Sequence, residues 1–190
     1  MRIIAGALKG RTLTAPTRSG LRPTSDALRE TLFNVLGPAV QDAVILDLCA
    51  GTGALGIEAL SRGAARAVFI DDDARALALI EDNASRCGVE NRCAIIRGTA
   101  VGALADDVGG PFDIVIADPP YDAPWIDEAL VAAARHMATG GVLVLEHAWR
   151  RVAPEVPSLT LVRTRRAGDS ALSTYRPVPA AGAAEGDHAS

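Results

Sequence analysis

Asp118-Pro119-Pro120-Tyr121 gathers a carboxylate, two rigid peptide units and an aromatic ring into four residues. Consecutive prolines remove two backbone donors and fix two φ angles, so neither strand nor helix continues through them. The preceding run, Phe112-Asp113-Ile114-Val115-Ile116-Ala117, reads as a strand buried on both faces. A stiff corner is therefore expected at that strand's carboxyl end. It suits a flat ligand bearing an amino group: the Tyr121 ring stacks on the plane while Asp118 and a corner carbonyl accept the N–H donors.

A second cluster lies upstream. Asp47-Leu48-Cys49-Ala50-Gly51-Thr52-Gly53-Ala54-Leu55-Gly56 follows a predicted strand and opens a helix. Gly51 and Gly53 permit a tight turn and close approach of backbone to ligand, and Gly56 permits close helix–sheet packing. The helix N-terminus presents free N–H groups to an anionic group. Asp71 ends the next strand 20 residues after Gly51, where an acid grips both hydroxyls of a ribose. These features alone fit a nicotinamide dinucleotide as well as S-adenosylmethionine. Three observations favour the latter. Asp47 precedes the first glycine by four residues and can hold the methionine ammonium, directly or through water. Seven strand segments exceed the six of the dinucleotide fold. Above all, a dehydrogenase has no use for Asp-Pro-Pro-Tyr.

The predicted cofactor set is Asp47, Cys49, Ala50, Gly51, Gly53, Asp71, Asp72, Thr99, Ala100 and Asp118; the catalytic set is Asp118, Pro119, Pro120 and Tyr121. Asp73 is assigned to the cap of the following helix. Thr99, in the place of an adenine-contacting residue, acts through its backbone N–H. His136 and His147 read as structural. Trp125 is either a lid over the cofactor or a helix-start anchor, the anchor being favoured.

The elements that must position these groups alternate. Strands are predicted at 43–48, 67–70, 93–97, 113–117, 141–146, 159–163 and 171–175, and helices at 54–61, 74–86, 99–106 and 125–138. Gly63, Gly88 and Gly140 fall where helices should end. Such alternation predicts an α/β fold: a Rossmann-like, seven-stranded, mostly parallel sheet with helices on both faces. The last two strands lack a helix between them, so one edge is expected to be antiparallel. Before this domain (41–177) comes an appendage of hairpin plus helix (1–40). There Gly6 and Gly10 punctuate the hairpin, Arg18 to Pro23 form a loop, and Thr24-Ser25-Asp26 start a helix to about Leu36. Residues 178–190 are rich in Ala and Gly and are expected to be disordered.

Length and charge bound the rest. The 190 residues suffice for one domain with a sizeable core. Apolar runs are too short for a membrane span, and the N-terminus lacks a signal-peptide pattern. Cys49, Cys87 and Cys93 have no paired spacing, which implies reduced thiols in a cytoplasmic protein and no metal site. Residues 1–30 hold six basic residues against two acids, so the overall charge of −4 divides into +4 there and −8 elsewhere. A basic end on an acidic body suits a polyanion met by one face.

Several segments together resemble one family, the RsmD type of 16S ribosomal RNA guanine-N2 methyltransferases. They are Arg2-Ile3-Ile4-Ala5-Gly6 with Gly10-Arg11, Leu21-Arg22-Pro23-Thr24, Arg29-Glu30-Thr31-Leu32-Phe33-Asn34, Asp47 to Gly63, and Phe112 to Tyr121. Cys49 stands where the family usually has Phe, and Asp71 where it often has Glu. The resemblance implies methyl transfer from S-adenosylmethionine to a guanine N2 in a small-subunit rRNA loop. Arg2, Lys9, Arg11, Arg18 and Arg22 would grip flanking phosphates, while Arg29 and Glu30 pair with the body. A monomer is expected. Asp-Pro-Pro-Tyr is shared with other amino-methylating enzymes, so a DNA adenine-N6 methyltransferase is the nearest rival. A nicotinamide-dependent oxidoreductase and a non-catalytic ribosome-assembly factor are more distant ones.

Overall fold

The computed structural model describes residues 1–15 and 25–178; the expectations on Arg18, Arg22, Thr24 and the C-terminal tail lie outside them. Strands form where apolar runs were read: β1 (Val44–Leu48), β2 (Arg66–Asp71), β3 (Cys93–Arg97), β4 (Phe112–Ala117), β5 (Met137–Ala148), β6 (Leu159–Ala167) and β7 (Ser170–Pro177). Helices are α1 (Asp26–Leu36), α2 (Ala54–Ser61), α3 (Ala74–Cys87), α4 (Ala100–Ala103) and α5 (Ile126–Ala134). One sheet takes the order β3-β2-β1-β4-β5-β7-β6. Pairs among the first five strands are parallel. Pairs involving β7 are antiparallel, as the missing last crossover helix requires.

Period-two alternation splits the core into two layers. Ile45, Phe69, Ile114, Val144 and Leu172 face α1, α2 and α3. Leu46, Val68, Val115, Leu143 and Tyr175 face α4 and α5. Among the described residues no helix is long and apolar enough to cross a membrane.

The N-terminal hairpin is shorter in ladder than a true two-stranded ribbon, with one bridge between Arg2 and Thr12. It is held instead by side chains of α2, every residue of which is buried. Glu58 accepts the N–H groups of Ile4 (2.8 Å) and Ala5 (3.0 Å), and Ser61 Oγ accepts that of Leu8 (3.0 Å). Arg29, wholly buried, donates to the carbonyl of Arg2 at 2.8 Å and to Asp26 at 2.6 Å. Arg29 thus serves packing, one of the roles expected of it. Ile3 and Leu13 join the same core layer as Ile57, so the hairpin is an overlay on α2. Ser25 caps α1 by accepting from Leu28 N.

Three element boundaries differ from expectation; β6, predicted over 159–163, runs on to Ala167. The helix predicted over 125–138 stops at Ala134, and β5 has begun by Met137. Phe112 N–H already bonds the His136 carbonyl at 2.8 Å, so the chain enters the sheet two residues after the helix. Gly140 is therefore not a helix cap; it lies inside β5 with φ +78, where the register with β4 shifts. Thr139-Gly140-Gly141 is poor helix material, which favours the strand. The third difference is α4, four residues long rather than eight, because Gly102 weakens it and Asp106-Asp107 follow.

Candidate active site

β1 leads to α2 on one face of the sheet, and its neighbour β4 leads to the corner and α5 on the other. Between two connections that part in this way a crevice opens at the strands' carboxyl ends. A cavity of about 890 Å³ lies there. Its floor is the glycine loop, Cys49 to Thr52, and Asp71 and Asp72 stand on one side. Asp118, Pro119, Pro120 and Tyr121 form the opposite wall. Thr99 and Ala100 line it as well. The corner and the cofactor loop therefore share one pocket.

Local chemistry explains each placement. Cys49 adopts φ +64 and Gly51 φ +54, so the loop coils tightly after β1. Asp71 Oδ2 accepts the Gly51 N–H at 2.8 Å, and Oδ1 accepts that of Asp73 at 3.0 Å. Each oxygen keeps a lone pair for a ribose hydroxyl. Asp73 caps α3, as expected, by accepting from Arg75 N at 2.9 Å. Thr99 Oγ1 is used by Gly102 N–H as the cap of α4 and its carbonyl by Ala103 N–H, so what Thr99 can offer a ligand is its own N–H, the group expected to act. Trp125 precedes the first residue of α5 and packs on the core, as an anchor would, and it also lines the cavity.

Asp47 and Gly53 are placed behind the wall rather than on it. Gly53 starts α2 with φ +73. Asp47 is fully buried; Oδ2 accepts Gly56 N–H at 2.8 Å, and Oδ1 has no hydrogen-bond partner among the described residues. Burial, and after it the Asp71 charge, pushes its carboxyl up to about 7, against the lowering effect of the Gly56 bond. The Cys49 thiol is likewise pushed up, by burial first and then by the negative charges of Asp71, Asp118, Asp47 and Asp72. Burial alone disfavours charge of either sign, but the carboxylates of Asp71, Asp72 and Asp118 that line the cavity make it a place for a cationic group, and a sulfonium with an ammonium suits that lining.

The raised Asp47 value has a measurable sign. Between about pH 4 and pH 7 the folded chain binds a proton that the unfolded chain has lost, so this group's contribution makes stability fall as pH rises through that window. In the cofactor-free protein, Asp47→Asn is expected to flatten this slope and to stabilise the fold at pH 8 by on the order of 3 kcal/mol. Denaturant midpoints measured from pH 4 to pH 8 check it; an unchanged slope would place the proton elsewhere.

Some functional candidates were not evident from the sequence. Tyr121 Oη donates to Glu146 Oε1 at 2.9 Å and lies 2.6 Å from Ser170 Oγ. Glu146 sits in β5 and Ser170 starts β7, and both line the cavity. Ser25 and Leu28 of α1 line its rim, which brings the appendage to the mouth. The Pro120 carbonyl is taken by Ala123 N–H, whereas that of Pro119 has no backbone partner among the described residues. Of the basic residues expected to meet RNA, Arg2 and Lys9 are exposed; Arg11 is exposed too but donates to the Arg86 carbonyl at 2.7 Å. His136 bonds the Leu104 carbonyl and His147 the Ser173 hydroxyl, both structural as expected.

Sheet order, glycine loop and the acid after β2 together define the class I methyltransferase fold. The chain belongs to the family described as Conserved hypothetical protein 95, whose model matches residues 1–176. It is 37% identical over 179 residues to ribosomal RNA small subunit methyltransferase D of Escherichia coli strain K12, covering 93% of this chain and 89% of that protein. The structure of the Escherichia coli protein yhhF superposes with a TM-score of 0.83 at 36% identity, covering 93% and 97% of the two chains. An RNA methyltransferase from Salinibacter ruber, solved with S-adenosyl-L-homocysteine, shares the fold alone: 18% identity, TM-score 0.63, 82% and 94% covered.

Proposed function

We propose that this protein transfers the methyl group of S-adenosylmethionine to the exocyclic N2 of guanine 966 in 16S ribosomal RNA. The observation that carries the reading is the shared cavity: the cofactor loop with Asp71 faces the Asp118–Tyr121 corner across it. Bound there, S-adenosylmethionine presents an electrophilic methyl group. The target nitrogen is a poor nucleophile because its lone pair is delocalised into the purine. Asp118 and the Pro119 carbonyl accept its N–H bonds, which favours a pyramidal nitrogen and aims the lone pair along the cavity. Tyr121 fixes the base plane, and its own ring is fixed by Glu146 and Ser170. Transfer exchanges the methyl–sulfur bond for an N–C bond, leaving a neutral thioether, and the nitrogen sheds one proton, for which Asp118 is the ionisable acceptor of the corner. The target base has to be unstacked, which an RNA loop makes less costly than a duplex.

Glu146 favours guanine over the adenine of the DNA-methylating rival. Guanine presents N1–H beside its amino group, two donors in a row, whereas adenine presents an acceptor beside its amino group. A carboxylate accepts only, so Asp118 together with Glu146 on one pocket matches the guanine edge. Replacing the target guanine by 2,6-diaminopurine keeps the N2 amino group but turns N1 into an acceptor. Methylation of such an RNA is expected to fall about 100-fold, and Glu146→Gln, which offers an amide donor, is expected to narrow that gap at least tenfold. An unchanged ratio would show that Glu146 does not read the base.

The reading itself is tested by incubating unmodified small subunits, naked 16S rRNA and duplex DNA with labelled S-adenosylmethionine and mapping the product. N2-methylguanine in rRNA is the expected product. Methyl-adenine in DNA alone would overturn the assignment.

A further inference from the structure

The outer edge of the sheet carries charge that the site described above does not use. From Trp149 to Arg176 there are six arginines and two acids, a surplus equal to that of the first 30 residues. β6 is the edge strand, paired by β7 alone. Its residues Thr160 to Arg166 are all exposed, including Leu161 at 44% and Val162 at 56%. Arg163 and Arg165 pair across from Thr174 and Leu172, so both stand on the α1 side of the sheet, about 7 Å apart along the strand. Arg166 is on the other side, its guanidinium 5.2 Å from the centroid of the half-exposed Trp149 ring. Among the described residues Arg150, Arg163 and Arg165 enter no salt bridge.

This edge adjoins the active-site cavity. The β6–β7 turn ends at Ser170, which touches Tyr121. Trp149 N–H bonds the Asp169 carbonyl at 2.8 Å, and Arg151 donates to the Tyr121 carbonyl at 3.2 Å. On the α1 side, α1 lies beside β6 and its first turn reaches the rim through Ser25 and Leu28.

We propose that β6 and the corner at Trp149 form a second RNA contact, separate from the N-terminal basic segment. Arg150, Arg163 and Arg165 hold phosphates of the strand flanking the target base, and Trp149 with Arg166 offers a face for an unpaired base. The proposal rests on the rRNA reading of the site. Charge complementarity selects this occupant. A second copy of the chain pairing edge to edge would set arginines opposite arginines, which destabilises such a ladder. One exposed ring, Trp149, beside an open strand that carries arginines offers a single-stranded nucleic acid both a stacking face and phosphate partners.

The test uses the full chain and a 16S rRNA fragment containing the target loop, with binding measured from 0.05 to 0.3 M salt. Each lost phosphate contact lowers the slope of log K against log salt by about 0.7 for single-stranded RNA. Arg163→Ala with Arg165→Ala is therefore expected to lower it by about 1.4 and to weaken binding about 15-fold at 0.15 M salt. Arg163→Lys with Arg165→Lys is expected to restore the slope, which separates charge from folding. Cofactor affinity, measured alongside, stays as in the parent. An unchanged slope in the alanine pair while the parent methylates rRNA overturns the second contact and leaves the activity standing. Sedimentation showing a dimer that the alanine pair dissociates also overturns it. A parent chain that does not methylate rRNA defeats the function reading instead.

Discussion

Asp118→Ala is expected to slow methyl transfer to rRNA about a thousandfold, with cofactor affinity changed less than tenfold. In the proposed mechanism the side chain is one of two acceptors for the target amino group, and the Pro119 carbonyl alone would not fix the direction of the lone pair. Pro119 and Pro120 keep the corner rigid, so the loss is of a preformed contact and reorganisation does not recover it. Single-turnover rates with saturating RNA read the chemical step directly. Asp118→Asn refines the result: it keeps one carbonyl acceptor but loses the base. An intermediate rate is expected. Full activity in Asp118→Asn would mean that the proton departs without this side chain, and full activity in Asp118→Ala would remove the corner from the mechanism.

Gly56→Ala is expected to cost about 3 kcal/mol of stability and to weaken cofactor binding along with it. A Cβ there would stand 2.3 Å from Cε1 and 2.6 Å from Cζ of Phe69, and 3.2 Å from Asp47 Oδ2. Phe69 is fully buried in β2 and has nowhere to swing. The only relief is for α2 to lift from the sheet, and the glycine loop that opens α2 moves with it. Phe69→Leu makes room at that position. The double variant is therefore expected to be less destabilised than the sum of the two single changes by about 1 kcal/mol or more. Strict additivity in denaturant titrations would locate the strain somewhere other than this contact.

Much of the site was legible because its chemistry is local in sequence. Asp118 to Tyr121 and Asp47 to Gly56 are short runs whose residue types fix their own geometry, and both lie where strands end. Asp71 was legible through its distance from the glycines. Glu146 and Ser170 were not, because Glu146 reaches Tyr121 through the pairing of β5 with β4 and Ser170 through that of β7 with β5, both long-range. A carboxylate within the apolar α2, Glu58, was the available sign that something polar lies over that helix, and the hairpin backbone is what it holds. The end of α5 was misplaced because Ala132 to Ala134 continue a helical pattern, while the signal that stops it, pairing of Met137 with Phe112, is long-range. Asp47 was read for the right region but is set under the loop, since β1 buries it completely.

The insertion of β7 inside the sheet has a consequence for synthesis. β7 is the last strand among the described residues, yet it occupies an interior position between β5 and β6. Until Ser170 to Pro177 have left the ribosome, β5 presents an open ladder of unpaired amides and carbonyls, a template for pairing with other nascent chains. The same delay keeps Ser170 from Tyr121, so a chain still being translated lacks one of the side chains that line the pocket and hold that ring. The pocket is thus complete only once β7 is in place, and a chain stopped before Ser170 is expected to be a sticky, inactive fragment rather than a weakened enzyme.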